Sequence, residues 1–576
     1  MEPRVGSVWA PHCDEVHLVV DHDGGAPEIV ALEHGTSGWW GGGRELSDGE
    51  RYGFSLDGSQ VHPDPRSRWQ PDGVEGFSQV DDPGSFEWRS DPPVRPWSDA
   101  VCYELHIGTF SSEGTFLGVI DHLDHLVRLG VTHIELMPVG AWEGQSGWGY
   151  DGVAWWAPHP AYGTPNEFRQ LVDACHARKL RVLLDVVYNH LGPSGAVLDK
   201  FGPYTVAADT PWGRAVNFDG AESSEVRRFV IENALMWIRD QHVDGLRIDA
   251  AHAMIDSSPV HILAELSDEV RAISESTGRE LVLVAEWDRH DPTPVLSRAA
   301  GGWGLSAQWA DDLHHALHAH LTEEAGGYYA DAAVIPGAIA RAMNEVYLPR
   351  VVTGDPATEA IGSGISRDRF VVSTQNHDQT GNRPKGERLS SLIGQNAAAA
   401  AAAVVMLGPS VPLLFQGEEW AATTPFLYFV EPGDPELSKR VAQGRGEEFS
   451  DLGGADPLDP SDPSTVLMAK LDWTEPAGAE QAEILRWYQG LIRVRAAHIQ
   501  PRFISTMSAR EHPDGLVSWT IGDLLIAVNL SDSDLAFDHV EFEEFAQASP
   551  LELLLSRLVT GDLMAAWSVG VWLRHS

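Results

Sequence analysis

Four short apolar runs in the middle of the chain end in charged side chains. They are LRVLLDVVYNH (180–190), DGLRIDAAHAM (244–254), ELVLVAEWD (280–288) and RFVVSTQNHD (369–378), which contribute Asp185, Asp249, Glu286 and Asp378, with Arg247, His190 and His377 beside them. Charged groups are rarely buried without partners, and clustered acids are retained where chemistry needs them. We therefore predict that these run ends meet in one pocket that performs acid–base chemistry.

The elements that would bring these residues together are β–α repeats. Four more runs of the same kind are VCYELHIGTF (101–110), VTHIELMPV (131–139), GGWGLSAQWA (301–310) and VPLLFQGEEW (411–420). Eight near-continuous apolar runs separated by amphipathic helical segments predict an α/β fold, a (β/α)₈ barrel. In that fold the carboxyl ends of all eight strands lie on one face, where active sites form.

Composition shifts divide the chain into three predicted domains. Residues 1–95 are rich in Gly, Pro and Trp with short alternating runs, which predicts an N-terminal β-sandwich that resembles a sugar-binding module. Residues 96–499 are predicted to form the catalytic barrel, with the alanine run 397–403 inside a packed helix and a last amphipathic helix over 480–498. Residues 500–576 are predicted to form a small C-terminal β domain.

Charge and composition exclude several classes of partner. A net charge of −44 argues against nucleic acid or an anionic membrane, since both need positive potential. The chain contains no apolar run of membrane-spanning length, and its start does not resemble a signal peptide. Cys13, Cys102 and Cys175 are too far apart for a disulfide framework or a zinc site, so we predict free thiols and a cytoplasmic location.

Clustered carboxylates without a metal motif or a phosphate loop suit glycoside hydrolysis. There one carboxylate attacks and the other acts as general acid and base. His314 and His318 share one helix face, but no acid completes a metal site, so we predict neither metal nor cofactor. Sugar sites also use aromatic platforms, and the aromatic residues predicted to lie in or beside strand-end loops are Trp142, Trp148, Tyr150, Trp287, Trp303, Trp309 and Trp420.

Four ordered segments, DVVYNH, GLRIDAAH, VAEWD and QNHDQ, resemble the sequence blocks of the α-amylase family of barrel glycoside hydrolases. The resemblance implies that Asp249 is the nucleophile, Glu286 the general acid/base and Asp378 the transition-state stabiliser. It also implies that His190, His377 and Tyr150 bind the sugar whose bond is cut, and that Arg247 keeps Asp249 ionised. An adjacent arginine would do so by lowering the pKa of Asp249.

Further stretches, including YELHIGTFSSEGTF, DDLHHALH and FQGEEWAATTPF, are similar to a trehalose-releasing branch of that family. This implies hydrolysis of the α-1,4 bond next to the terminal trehalose unit of maltooligosyltrehalose, a substrate supplied by a maltooligosyltrehalose synthase. The remaining substrate-binding residues that we predict are His252, Asp311, Asp312, His315, Gln379, Asn382 and Trp420. The sequence departs from the branch at Ala196-Val197, Trp287 and Val430-Glu431, in loops that would shape the leaving-group side.

Three alternatives stay open. The N-terminal module favours an α-1,4-glucan branching transferase. Cleavage of plain maltooligosaccharides would favour an α-amylase-type hydrolase. A barrel without catalytic activity would be a glucan-binding protein. For a retaining hydrolase we expect the carboxyl groups of Asp249 and Glu286 about 5–5.5 Å apart.

Overall fold

The computed structural model describes residues 4–22, 25–352, 364–450, 458–499, 507–536, 551–560 and 563–574. At its centre eight parallel strands close into a barrel, each hydrogen-bonded to the next along the chain and the last to the first, which confirms the predicted fold class. The strands, here β1 to β8, are Cys102–Leu105, His133–Leu136, Arg181–Val186, Gly245–Ile248, Val282–Ala285, Ala307–Trp309, Phe370–Ser373 and Val411–Phe415.

Side chains alternate between the barrel interior and the surrounding helices along each strand. The interior is filled by a compact apolar cluster that includes Cys102, Leu183, Val284 and Leu413. Leu246 and Ile248 instead belong to the outer core that the helices cover. Arg247 and Asp249 therefore lie on the inward face of β4, as the alternation in the sequence predicts.

Helices follow seven of the eight strands, and β5 is followed by the short 3-10 helix Arg298–Ala300. They are Ile107–Phe110, Phe116–Ile120, Leu123–Leu129, Pro165–Ala177, Leu198–Phe201, Ser223–Arg239, Ile262–Thr277, Asp312–Thr322, Ala330–Val334, Ala338–Glu345, His377–Gly381, Leu389–Ile393, Gln395–Met406, Pro435–Ser450, Pro463–Met468 and Ala479–Val494. Gly130 ends the third of these in a left-handed conformation, with φ of 102°.

Two of these helices test predictions from the sequence. The alanine run lies in Gln395–Met406 with most of its side chains buried, so small residues let this helix pack closely on its neighbours. Ala479–Val494 buries Ile484, Tyr488 and Leu491 on one face, as the amphipathic pattern predicts. Both helix predictions are confirmed.

The N-terminal part forms two antiparallel sheets. Their strands are Val8–Trp9, Val16–Asp21, Glu28–Ala31, Glu33–His34, Trp39–Gly41, Arg51–Leu56, Val61–His62 and Ser78–Gln79. Inward-facing residues such as Leu18 and Phe54 are fully buried. Since these strands end at residue 79 and β1 starts at residue 102, we propose a domain boundary near residue 95.

The C-terminal part forms one six-stranded antiparallel sheet. Its strands are Met507–Glu511, Leu516–Ile521, Leu524–Asn529, Leu535–Ala536, Leu551–Thr560 and Leu563–Arg574. The boundary that we place at residue 500 lies outside the described residues and remains a proposal. The three cysteines are free thiols, as predicted, and Cys102 and Cys175 are buried.

Short strands also decorate the barrel mouth. Gly140–Ala141 pairs with Ala154–Pro158 after β2, while His190–Leu191, Thr205–Asp209 and Arg214–Val216 form a small sheet after β3. Among the described residues no helix is both long and apolar enough to cross a membrane.

Candidate active site

One buried arginine connects three of the four predicted acids. The Nη1 of Arg247 donates to Asp185 Oδ2 at 2.7 Å and to Asp249 Oδ1 at 3.0 Å, and its Nη2 donates to Glu286 Oε2 at 2.8 Å. Its guanidinium also lies 4.3 Å from the ring centroid of Trp309. Because the three acids come from the adjacent strands β3, β4 and β5, the barrel brings them together around one planar cation.

The side chain of Asn189 and the backbone of Ala250 orient the carboxyl groups of Asp249 and Glu286. Asn189 donates from Nδ2 to Asp249 Oδ2 at 2.7 Å, which orients that carboxyl group together with Arg247. Ala250 adopts a left-handed conformation with φ of 37°, and its N–H donates to Glu286 Oε2 at 2.8 Å. A non-glycine residue in this region is strained, and such strain is commonly found at functional sites.

Arg247 is one of several influences on the pKa values of Asp249 and Glu286. Burial and the negative charge of Glu286 raise the pKa of Asp249 well above its usual range, despite the contact with Arg247. Burial also acts on Glu286, but Arg247 and the N–H of Ala250 outweigh it and lower the pKa of that group. Arg247 lowers the pKa of Asp249 as expected, but burial and Glu286 outweigh its effect, because two carboxyl groups share one cation and titrate as a pair.

A second hydrogen-bonded chain leads away from Asp185. Tyr150 donates its hydroxyl to Asp185 Oδ2 at 2.7 Å and lies 2.8 Å from Nε2 of His377. The two rings stack with centroids 5.2 Å apart. On the far side of the imidazole, Glu104 Oε1 of β1 lies 2.5 Å from Nδ1 of His377. Glu104 Oε2 accepts the backbone N–H of His377 at 2.9 Å.

Asp378 is the most open of the predicted catalytic acids, with its side chain 43% exposed. It lies in the first turn of the helix His377–Gly381 and accepts a hydrogen bond of 3.3 Å from Asn382 Nδ2. Asn382 in turn accepts from Arg445 at 2.8 Å. Gln379 on the same helix donates to Asp311 Oδ1 at 3.1 Å, so this helix and the start of Asp312–Thr322 form one wall.

Two acidic side chains, Asp311 and Asp312, lie along that wall. Burial, with the charges of Glu286 and Asp312, raises the pKa of Asp311 to about 8. Burial also raises the pKa of Asp312 to about 6, but this side chain accepts the N–H of Leu348 at 3.0 Å and is only 4% exposed. Asp312 therefore orders the neighbouring loop, whereas Asp311 lies beside Gln379 and Glu286.

The predicted histidines occupy different surroundings. His190 is 2% exposed, its Nε2 has no hydrogen-bond partner among the described residues, and burial lowers its pKa to about 4, so it is neutral at pH 7. His315 is partly exposed and stacks against Tyr328, with ring centroids 6.4 Å apart. His252 is half-buried beyond the end of β4, and its backbone carbonyl accepts from Arg289 at 2.9 Å.

The structure does not bring Trp420 to this site, and our prediction that it binds sugar is wrong. Its side chain is fully buried, its indole N–H donates to Glu475 at 3.1 Å, and it packs against Trp473. The residue lies near the end of β8, but the short helix Glu418–Trp420 turns the ring into the core. Trp142 is buried in the same way against His159.

Two residues of the site, Glu104 and Asn189, are absent from our predictions, and Asp185 is predicted only as one of the acids of the pocket, without an assigned role. Glu104, Asn189 and Asp185 contact the predicted residues directly. Alternation along YELH identifies Glu104 as an inward-facing acid, and DVVYNH contains both others at the end of β3. An exposed aromatic side chain was also missed: Trp212 is 47% exposed, with its ring centroid 6.0 Å from that of His190.

No metal-holding group of three or more His, Cys, Asp or Glu side chains occurs in the part of the chain that the structure describes. Of the histidine pair considered for a metal, His314 contacts the carbonyl of Thr374 at 2.7 Å and His318 contacts Glu324 at 2.8 Å. These contacts hold the helix Asp312–Thr322 in place.

The chain is similar to several known proteins over most of its length. A family profile described as the alpha amylase catalytic domain matches residues 60–205. The malto-oligosyltrehalose trehalohydrolase of Arthrobacter ramosus is 46% identical over 85% of this chain and 86% of its own length. That of Mycobacterium tuberculosis is 42% identical over 91% of this chain and 92% of its own. A crystal structure from Salmonella typhimurium, assigned provisionally as an alpha amylase, superposes with a TM-score of 0.88 at 33% identity, covering 99% of this chain and 97% of that one.

Proposed function

The chain belongs to the family of malto-oligosyltrehalose trehalohydrolases, and from that premise we propose that it hydrolyses the α-1,4-glucosidic bond next to the terminal trehalose unit of maltooligosyltrehalose, releasing trehalose. The observation that carries the chemistry is the shared contact of Arg247 with Asp249 and Glu286, because it fixes two carboxyl groups from adjacent strands at the barrel mouth. Such a pair is what a retaining glycosidase requires.

In the first step a carboxylate oxygen of Asp249 attacks the anomeric carbon of the glucose next to trehalose. The new ester bond forms as the glycosidic bond breaks, and the departing oxygen takes a proton from Glu286, so trehalose leaves as a neutral alcohol. Arg247 and Asn189 hold the attacking carboxyl group in place. The hydrogen bonds of Glu286 among the described residues all involve Oε2, so Oε1 is left for the leaving oxygen.

In the second step Glu286 takes a proton from water as that water attacks the same carbon. The ester bond breaks, Asp249 returns as a carboxylate, and the oligosaccharide leaves with its original anomeric configuration. This cycle needs the shared proton on Glu286 when substrate is bound. In the unliganded site the pKa of Asp249 is raised and that of Glu286 is lowered, so we infer that substrate entry changes how the pair shares its proton.

Asp378 lies beside His377, and its side chain is 43% exposed. Its charge would stabilise the positive charge that develops on the sugar ring, as electrostatic preorganisation does in general. Tyr150, His190 and His377 would bind the same sugar ring. Asp311, Gln379 and Asn382 lie on the same wall as Asp378 and would form further sugar contacts.

A product analysis tests this proposal. We expect equal concentrations of maltotriosyltrehalose and maltopentaose, incubated separately with the protein, to give rapid trehalose release and little cleavage, respectively. Equal cleavage of both would indicate an α-amylase-type hydrolase, and new α-1,6 linkages from amylose would indicate a branching transferase. Asp249→Asn, which is nearly isosteric, is the matched control and should release no trehalose.

The supply of substrate by a maltooligosyltrehalose synthase belongs to the same proposal, since hydrolysis of this bond requires an enzyme that makes the trehalose end. A cytoplasmic location is also proposed, because the three free thiols suit a reducing compartment. Co-purification of the two activities from one cell extract fraction would support both.

A further inference from the structure

We propose that Glu104 is a positioning residue that keeps His377 doubly protonated, so that the Nε2–H of His377 is a permanent donor at the barrel mouth. Both oxygens of Glu104 are used by this one residue: Oε1 contacts the ring Nδ1 at 2.5 Å, and Oε2 accepts the backbone N–H at 2.9 Å. Glu104 and His377 are each 1% exposed, so no water competes for these contacts.

The protonation state follows from counting donors along the chain of hydrogen bonds. Tyr150 has a single hydroxyl proton, and it donates that proton to Asp185 Oδ2 at 2.7 Å. The same oxygen accepts from Arg247 at 2.7 Å, as an ionised carboxylate does. The tyrosine oxygen can then only accept from Nε2 of His377, at 2.8 Å. Since Nδ1 already donates to Glu104, both ring nitrogens carry a proton.

The charges around His377 support this assignment. Acidic groups near the ring are Glu104, Asp378, Asp185 and Glu135, and the Asp249–Glu286 pair lies further along the chain of contacts. Arg247 is the opposing cation, while His106 is neutral at pH 7 because burial lowers its pKa to about 3. Burial alone would lower the pKa of His377, but Glu104 and Asp378 raise it to about 9.

Glu104 also influences the position of Asp378 through the backbone. The backbone N–H that Glu104 accepts belongs to the first residue of the helix His377–Gly381, and Asp378 is the next residue of that helix. One carboxylate of β1 therefore sets the ring charge of a sugar-binding residue and the backbone position of the proposed transition-state stabiliser.

Glu135 offers a matched control. It lies on β2 in register with Glu104 on β1, and it is equally buried at 1% exposure. Neither of its carboxyl oxygens has a hydrogen-bond partner among the described residues, and burial raises its pKa well above the usual range. Glu135→Gln therefore leaves both contacts of Glu104 with His377 in place, whereas Glu104→Gln removes the carboxylate that makes them.

The inference rests on the proposed function for its kinetic readout, but its spectroscopic readout needs no substrate. The protein is labelled with ¹⁵N-histidine, and the NMR signals of His377 are those missing from the spectrum of His377→Asn. In the unliganded wild-type protein at pH 7 we expect these signals to show that both ring nitrogens are protonated. We expect Glu104→Gln to show a neutral ring, because burial then dominates and places the pKa below about 6.5. Glu135→Gln should match the wild type.

The kinetic readout is the pH dependence of kcat/KM for trehalose release. The active form has His377 protonated, so activity is lost as pH rises through its pKa. We expect kcat/KM of Glu104→Gln to fall, on the alkaline side, at a pH at least one unit lower than that of the wild type. The alkaline fall of Glu135→Gln should occur at the wild-type pH. A neutral His377 in the wild type overturns the proposal, and so does an alkaline fall in kcat/KM that occurs at the same pH in Glu104→Gln and in the wild type. If Glu104→Gln does not fold, the wild-type spectrum alone decides. Absence of any trehalose release would refute the proposed function and leave the spectroscopic test standing.

Discussion

Replacing Arg247 with leucine should destabilise the fold more than any exposed arginine substitution. The side chain is fully buried and makes three charge-assisted hydrogen bonds, of 2.7, 3.0 and 2.8 Å, to three acids. Bonds of this kind contribute roughly 1.5–3 kcal/mol each, so their gross value is about 4.5–9 kcal/mol. Relief of the desolvation cost of the guanidinium offsets part of this. A net loss of about 3–5 kcal/mol is expected, as for other broken buried ion pairs.

The loss of unfolding free energy caused by Arg247→Leu should increase with pH. Without Arg247, the buried acids have pKa values above those of the unfolded chain, and in the wild type burial already raises the pKa of Asp185 to about 6. Groups with raised pKa values destabilise the folded state increasingly as pH rises above the unfolded value of about 4. The deficit of Arg247→Leu should therefore be larger at pH 8 than at pH 5, by about 1 kcal/mol or more, since one pKa unit is worth about 1.4 kcal/mol.

Urea unfolding of both proteins at pH 5 and pH 8 measures this. Arg227→Leu is the control, because Arg227 also bridges two acids, at 2.6 Å each, but Glu265 is 43% exposed. Its second partner, Asp256, keeps backbone N–H donors from Ser258 and Ile262. The control deficit should be smaller and nearly independent of pH. A deficit for Arg247→Leu below about 1 kcal/mol at pH 8, or one equal at both pH values, would refute the reasoning.

Three further predictions concern activity and packing. Asp249→Ala should lower kcat by about four orders of magnitude or more, as loss of a covalent nucleophile does; turnover within tenfold of the wild type would contradict the assigned role. Proton NMR of fresh product should show the α-anomer at the new reducing end, and an initial β-anomer would indicate inversion. Trp420→Ala should lower the free energy of unfolding by about 3–5 kcal/mol, because its ring is fully buried, whereas Trp212→Ala should raise KM and leave stability within about 0.5 kcal/mol, because its ring is 47% exposed. The opposite pattern for the two tryptophans would show that Trp420 contacts sugar.

The barrel and its central acids are predictable from the sequence because period-two alternation is local. Leu246 and Ile248 point outward, so Arg247 and Asp249 must point inward, and the structure agrees. The order of the strands follows from their right-handed β–α connections.

Two features of the site depend on three-dimensional contacts that no short stretch of sequence contains. The direction in which Trp420 points is set by a single turn, Glu418–Trp420, after β8. The pKa of Asp249 depends on Glu286, which is adjacent only in the folded barrel. An arginine two residues away in the sequence predicts the contact, but it cannot reveal that a second carboxyl group shares the same cation.

The contact between Glu104 and His377 also has a consequence for synthesis of the chain. The two residues are 273 positions apart. At about 5–20 residues per second, a ribosome adds His377 roughly 14–55 s after Glu104. In the last third of that interval the nascent chain already contains Arg247, Asp249 and Glu286, but Glu104 still lacks His377. The charge pattern of the barrel mouth is therefore completed late in translation, so a chain truncated before β7 retains the nucleophile without His377 and Asp378.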